Sequence, residues 1–319
     1  MKEIVEPIEQ YALSKKDRPK TLFSKVGIVG CGTVGQTIAV LVATHDIEVV
    51  FIEIEQEKID AAYKGMEAAL DHKINHWGMT INEKKLILSR IKGSLKCSDL
   101  QGCDLVLEAV KSKSREQRVS IRKDIFKRIE AQVSPETIIA TNSTTVVITE
   151  LSSELKHKDR CVSLHLSTSN PSANIMEVVK GLYTSDETYR NVEKFAKLIG
   201  RKMIPVDESP GLISVRLFAS LINEACEVLM ESVGTKEDID LAVRAGLGLG
   251  RGPFELADKI GLDKVVRWLD NLYNEFGDMR YKASPILRKK VRANQLGRST
   301  GKGFYEYTPE GIRIKTRNY

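Results

Sequence analysis

Lys25-Val-Gly-Ile-Val-Gly-Cys-Gly-Thr-Val-Gly35 sets glycines at 30, 32 and 35, a G-x-G-x-x-G spacing that directly follows the apolar run Val26 to Val29. Each glycine has its own task in such a turn. Gly30 makes the tight bend, Gly32 lets the backbone approach a pyrophosphate, and Gly35 lets the next helix pack closely on the strand. Residues 33–43 read as that helix, whose amino terminus offers unpaired N–H groups and a positive dipole end to phosphates. A second apolar run, 48–52, is followed by Glu53, an acid placed to hold ribose hydroxyls. This context predicts a dinucleotide site. A carboxylate at 53 repels a 2′-phosphate, so NAD is the expected cofactor; Lys58 and Lys64 lie further on and do not rescue NADP. The candidate cofactor contacts are Gly30, Gly32, Thr33, Val34, Gly35 and Glu53, with Asn142 from a later strand end.

A chain of 319 residues predicts two domains, and a 42% apolar fraction is enough for a real core. The 49 basic residues against 43 acidic ones leave a net charge of +6, dispersed apart from Lys15-Lys16-Asp17-Arg18-Pro19-Lys20. Mild positive charge helps steer phosphorylated substrates. It is too diffuse for nucleic acid, and no aromatic and basic stripe accompanies it. The five cysteines form no C-x-x-C pair, which points to free thiols in a reducing compartment. With neither a membrane-length apolar run nor an apolar signal core, the reading is a cytoplasmic protein.

Residues 1–24 are read as an N-terminal extension, in which Ile4, Ile8 and Leu13 suit a short amphipathic helix. From 25 to 208, apolar runs at 26–29, 48–52, 104–110, 137–141, 161–166, 175–179 and 203–206 alternate with helical stretches at 33–43, 55–77, 115–130 and 187–199. That alternation predicts an α/β domain of the Rossmann type, a doubly wound parallel sheet covered on both faces. Asp207-Glu-Ser-Pro-Gly211 breaks the pattern. Residues 209–319 then read as a smaller all-α C-terminal domain. Its helices fall at 212–231 and 262–276, Thr235-x-x-Asp238 resembles a capping box, and 246–253 is a loop. Such a domain is expected to carry substrate contacts and a homodimer face.

Metal-free oxidation of an alcohol needs one base suited to neutral pH, and histidine suits best. Of five histidines, His45, His72, His76 and His157 fall in helices or polar turns. His165 alone ends an apolar strand, Cys161-Val-Ser-Leu-His165, and strand carboxyl ends are where doubly wound sheets bind ligands. Glu177 stands in the next apolar run, where a charge is unexpected unless paired. It is the candidate carboxylate to orient the imidazole, against a plain structural pairing of a core histidine and an edge glutamate. Asn142-Ser-Thr-Thr145 ends another strand; its hydroxyls suit either a substrate oxygen or a helix N-cap. His72 and His76, four apart beside Asp71, read as a solvated helix face rather than a metal site, so no metal is expected.

From about Lys25 to Tyr307 the chain resembles the L-3-hydroxyacyl-CoA dehydrogenases, particularly the short bacterial 3-hydroxybutyryl-CoA dehydrogenase type. The matching segments include Gly-Ile-Val-Gly-Cys-Gly-Thr-Val-Gly (27–35), Cys-Asp-Leu-Val-Leu-Glu-Ala (103–109) and Glu-Thr-Ile-Ile-Ala-Thr-Asn (136–142). Further on come Ser209-Pro-Gly211, Gly252-Pro-Phe-Glu-Leu256 and Leu296-Gly-Arg-Ser-Thr-Gly-Lys-Gly-Phe-Tyr305. The resemblance implies an acyl thioester substrate, a place in fatty acid metabolism, His165 as base with Glu177 orienting it at the family's spacing, and Thr144 in place of an active-site serine. It also exposes departures. A family asparagine falls on Thr168, and the active-site asparagine falls on Val215, which cannot donate a hydrogen bond. The CoA-gripping helix reads Asp71-His-Lys-Ile-Asn-His-Trp-Gly78, short of lysines, and an insertion within 111–118 leaves Glu116 or Gln117 where a glutamate by the nicotinamide is usual. The expected function is therefore NAD-dependent oxidation of an L-3-hydroxyacyl-CoA or the reverse reduction. The alternatives are a dehydrogenase of a non-CoA 3-hydroxy acid or carrier-bound acyl group, and an NAD-binding protein with little turnover.

Overall fold

The computed structural model of the protein describes residues 23–76, 78–111, 115–166 and 173–314. Expectations attached to residues 1–22, Trp77, the insertion residues 112–114 and Thr168 lie outside the described residues, as do the side chains of Glu116 and Gln117. The chain divides into two compact units. One holds the chain up to Asn142 with Leu151–Leu166 and Asn174–Ile204; the other holds Ser143–Glu150 and the chain from Pro205 onward.

In chain order the first elements are β1 (Lys25–Val29), α1 (Thr33–Thr44), β2 (Glu48–Ile52), α2 (Gln56–Asn75), α3 (Ile81–Ser89), β3 (Ile91–Ser94), β4 (Leu105–Glu108), α4 (Arg115–Glu130), β5 (Ile138–Thr141) and α5 (Ile148–Ser152). After them come β6 (Cys161–Leu166), β7 (Ile175–Lys180), α6 (Asp186–Leu198) and β8 (Lys202–Asp207). The strands form one sheet in the order β3-β2-β1-β4-β5-β6-β7-β8. Every residue of β4 and β5 is buried, as expected of central parallel strands covered on both faces. Ile28, Phe51, Leu107, Val162 and Leu164 join Phe195 of α6 in one apolar core.

The pairs from β3 through β6 are parallel, but β6 and β7 run antiparallel. The expected parallel sheet is therefore present from β3 through β6, with an antiparallel return at β7. The cause is length: only residues 167–174 join the two strands, whereas a parallel crossover needs about a dozen residues or more. Two elements of this unit escaped the sequence reading. β3 has a single buried residue, Ile91, and so lacks an apolar run. α3 opens on a capping box in which Glu83 N–H donates to Thr80 and the Glu83 carboxylate accepts from Thr80 N–H. The start of the unit also reaches before β1. Phe23 is buried with its ring 5.0 Å from that of Phe195, and Ser24 donates its N–H to Asp104.

The second unit is helical, with α7 (Ser214–Met230), α8 (Lys236–Leu241), α9 (Pro253–Ile260), α10 (Leu262–Phe276) and α11 (Pro285–Arg292). Its core gathers Ala219, Ile222, Phe254, Leu269, Leu272 and Leu287. The Thr235–Asp238 capping box forms as expected at the start of α8. Among the described residues no helix is long and apolar enough to cross a membrane.

Two buried carboxylates strap this unit together. Asp240 accepts the N–H groups of Phe254 and Glu255, the first turn of α9, and the Tyr305 hydroxyl. Asp258, inside α9, accepts the N–H groups of Phe304 and Tyr305 and the Tyr307 hydroxyl, all at 2.9–3.0 Å. Burial pushes both carboxyls up, and the donated hydrogen bonds pull the other way. A β-carbon at Gly303 would lie 2.0 Å from Asp258 Oδ1, so the glycine there is what lets the C-terminal segment close on the carboxylate. Asp258→Ala leaves three buried donors unpaired and should cost the helical unit about 3 kcal/mol of unfolding free energy. Urea unfolding followed by circular dichroism measures this, and a loss under about 0.5 kcal/mol, the range of an ordinary surface substitution, would refute it.

Candidate active site

The glycine loop turns where the sheet order reverses, between β1 and β4, the place where open α/β sheets bind ligands. Gly30 holds a φ of 90°, which a side chain would strain. A β-carbon on it would also lie 2.9 Å from Val110 Cγ2 and 3.0 Å from Val110 Cα. At Gly35 a β-carbon would lie 2.4 Å from the Gly30 carbonyl oxygen, so α1 starts hard against the turn. Gly32 is different, because a β-carbon there would meet nothing within 4 Å. It is the N-cap of α1 and supplies no side-chain cap. The open side of Gly32, followed by Thr33 and Val34 in the first turn of α1, suits a phosphate brought close to the backbone.

Glu53, one residue past β2, accepts the N–H of Cys31 at 2.5 Å, which ties the acidic residue to the loop itself. Cys31 is buried, and burial with the nearby Glu53 carboxylate pushes its thiol up to about 12. The thiol inside the loop is therefore protonated at neutral pH and inert as a nucleophile. Lys58 pairs with Glu55 at 3.2 Å. These residues fit NAD: an open cradle over Gly32 for the pyrophosphate, and a carboxylate in place for ribose hydroxyls.

The antiparallel register of β6 and β7 sets His165 directly opposite Glu177. Opposed residues in such a pair share one face of the sheet, with β-carbons about 5 Å apart. His165 Nδ1 lies 2.7 Å from Glu177 Oε2, and the two side chains are 12% and 5% exposed. A carboxylate accepts and does not donate, so Nδ1 carries the proton and Nε2 keeps a lone pair in the neutral ring.

The neighbouring strand ends are bound to one another beside this pair. Asn142 donates its N–H to the Glu108 carbonyl and accepts the N–H of Leu166 on its side-chain oxygen at 3.1 Å. Read from sequence as a cofactor contact, Asn142 here joins the end of β5 to the end of β6 beside His165. Glu108 is the residue the sequence reading passed over. It is fully buried at the end of β4 and accepts the Val110 N–H at 2.7 Å, the Thr141 hydroxyl at 2.7 Å and Arg122 Nε at 3.0 Å. A charge closing an apolar run was the available signal. Its partner comes from α4, beyond the insertion, and nothing in the run itself points there.

Thr144 lies in Ser143–Glu150, which belongs to the helical unit, where its carbonyl accepts the Gly211 N–H at 2.6 Å. In the same unit Asn271 Nδ2 donates to Thr145 Oγ1 at 2.8 Å. Val215 is 2% exposed in the first turn of α7. Asp71, on α2, pairs with Lys84 of α3 at 2.6 Å. His72 and His76 stack with ring centroids 4.2 Å apart, and His76 Nδ1 donates to the His72 carbonyl. Among the described residues no group of three or more His, Cys, Asp and Glu side chains is placed to hold a metal ion.

Residues 25–209 match the model of the 3-hydroxyacyl-CoA dehydrogenase NAD-binding domain, and residues 211–307 match that of the 3-hydroxyacyl-CoA dehydrogenase C-terminal domain. The chain is 35% identical to the 3-hydroxybutyryl-CoA dehydrogenase of Clostridioides difficile over 89% of this chain and 99% of that one. It is similar in structure to (S)-3-hydroxybutyryl-CoA dehydrogenase PaaH1 from Ralstonia eutropha, with a TM-score of 0.80, 35% identity and coverage of 90% and 99% of the two chains. A diketoreductase that acts on dicarbonyl compounds also matches, with a TM-score of 0.76, 28% identity and coverage of 90% of this chain and 100% of that one. With both halves of its length matched in order, the chain belongs to the 3-hydroxyacyl-CoA dehydrogenase family.

Proposed function

We propose that this protein oxidises an L-3-hydroxyacyl-CoA of short chain length to the 3-ketoacyl-CoA, or runs the reverse reduction, with NAD as cofactor. The observation that carries the reading is the His165–Glu177 pair at 2.7 Å, placed at the carboxyl-terminal side of the sheet that holds the glycine loop. Bound NAD supplies the two-electron acceptor for the hydride that leaves C3 of the alcohol. His165 Nε2 takes the proton of the 3-hydroxyl as that bond to hydrogen breaks. The ring then carries a positive charge, which the Glu177 carboxylate stabilises while it keeps the imidazole in one tautomer and orientation. In reduction the same nitrogen returns the proton to the developing alkoxide. Gly30, Gly32, Thr33, Val34, Gly35, Glu53 and Asn142 hold the cofactor, and Thr144 contributes a hydroxyl toward the substrate oxygen.

A second reading keeps this chemistry and replaces CoA by another acyl carrier or a free acid. Asp71 favours it, because its pairing with Lys84 engages a cation on the helices that the family resemblance assigns to the CoA grip. The likeness to a diketoreductase supports it too. The helical unit leaves Ile213 and Leu217 exposed at the start of α7, which supports a homodimer formed through that unit.

His165→Ala should lower kcat/KM for acetoacetyl-CoA reduction by roughly 10²–10⁴-fold, the usual weight of a general acid–base group, with NADH binding unchanged. An activity within threefold of the parent would remove His165 from the mechanism. Glu177→Gln should lower kcat/KM by more than about tenfold with NADH binding unchanged, because an amide does not stabilise the positive charge that forms on the ring. An activity within threefold of the parent in the Gln variant counts against the pairing role. Comparing kcat/KM for acetoacetyl-CoA with that for free acetoacetate and an acyl-carrier thioester separates the two substrate readings. A preference for either non-CoA compound would overturn the first.

A further inference from the structure

The buried Glu108–Arg122 pair does more than neutralise itself. Its two partners take hold of one residue, Val110, from both sides of the backbone. Glu108 Oε1 accepts the Val110 N–H at 2.7 Å, and Arg122 Nη2 donates to the Val110 carbonyl at 2.8 Å. Arg122 Nε meanwhile donates to Glu108 Oε2, and the Thr141 hydroxyl donates to the same oxygen. Val110 is the residue whose backbone lies against Gly30, as the 3.0–3.1 Å reach of a hypothetical Gly30 β-carbon to its Cα and N shows. It follows β4, and the glycine loop follows β1, so the two turns are the opposite lips of the crevice at the reversal of the sheet order.

We infer that Glu108 and Arg122 are positioning residues for the dinucleotide: their ion pair clamps Val110 and thereby sets the width of the crevice between the glycine loop and the β4 lip. A buried ion pair contributes little stability over packed apolar groups of the same volume. Its distinctive property is direction. The planar guanidinium reaches a carboxylate and a carbonyl at once from a fixed fork, which an ammonium cannot do. Two hydrogen bonds fixed in this way remove the backbone freedom of Val110. The inference rests on the NAD site and stands whatever the acyl carrier of the substrate is.

The test is a fluorescence titration with NADH, alongside competition by AMP, which reaches only the Glu53 side. Arg122→Lys keeps the charge and loses the fork. It should raise the Kd for NADH about tenfold, the weight of one charge-assisted hydrogen bond, and leave AMP within twofold of the parent. An NADH affinity within twofold of the parent, even with a lowered melting temperature, would show a purely structural pair and overturn the inference. So would an equal loss for AMP, which signals general loosening of the unit. Should Arg122→Lys fail to fold, Thr141→Val and Thr141→Ser decide alone. The valine variant, without the hydroxyl that steadies Glu108, should bind NADH more weakly, and the serine variant should match the parent; equal affinities in the two overturn the clamp.

Discussion

The packing of α1 against the carbonyl of Gly30 is the contact on which the cofactor half of the molecule depends. A β-carbon at Gly35 would stand 2.4 Å from that oxygen, so the helix can begin where it does only because none is there. With α1 held in that place, its amino terminus faces the open side of Gly32, and the Cys31 N–H comes within reach of Glu53. The same turn leaves Gly30 free to accept the backbone of Val110 from across the sheet reversal. One steric condition thus brings together the helix dipole, the Glu53 carboxylate and the backbone of Val110.

The His165–Glu177 pair is placed by a different device, a short connection. Residues 167–174 cannot cover a helical crossover, so β7 returns antiparallel to β6 and His165 meets Glu177 across a strand pair. Two side chains on rigid, mutually hydrogen-bonded strands are held far better than two on loops. The backbone ties at Asn142 and Glu108 extend that rigidity sideways from β4 through β5 to β6. The helical unit uses the same principle with buried carboxylates instead of strands. Tyr305 joins its two straps, giving its N–H to Asp258 and its hydroxyl to Asp240.

Much of this was legible in the residues. The glycine spacing, the apolar runs and the acid at 53 are local patterns, and local patterns report local geometry directly. The Thr235–Asp238 cap and the helix over 262–276 were readable for the same reason. β3 was not, since an edge strand with one buried residue carries no apolar run. Glu108 could be seen as an odd charge, but its meaning depends on Arg122, fourteen positions away on another element. Asn142 could be read as a polar residue at a strand end, but the bond its side-chain oxygen accepts from Leu166 of β6 depends on strand order.

By itself, the sequence determined the cofactor turn, the alternation of strands and helices, and the residue types available for acid–base work. Those follow from steric and periodic rules that act over a few residues. Only the tertiary structure decided the antiparallel return of β7, the meeting of His165 with Glu177, and the closure of Glu108 and Arg122 around Val110. Those depend on strand order and register, which arise when distant segments bury their apolar faces together. A register shift of one residue would turn Glu177 to the other face of the sheet without altering a single local pattern.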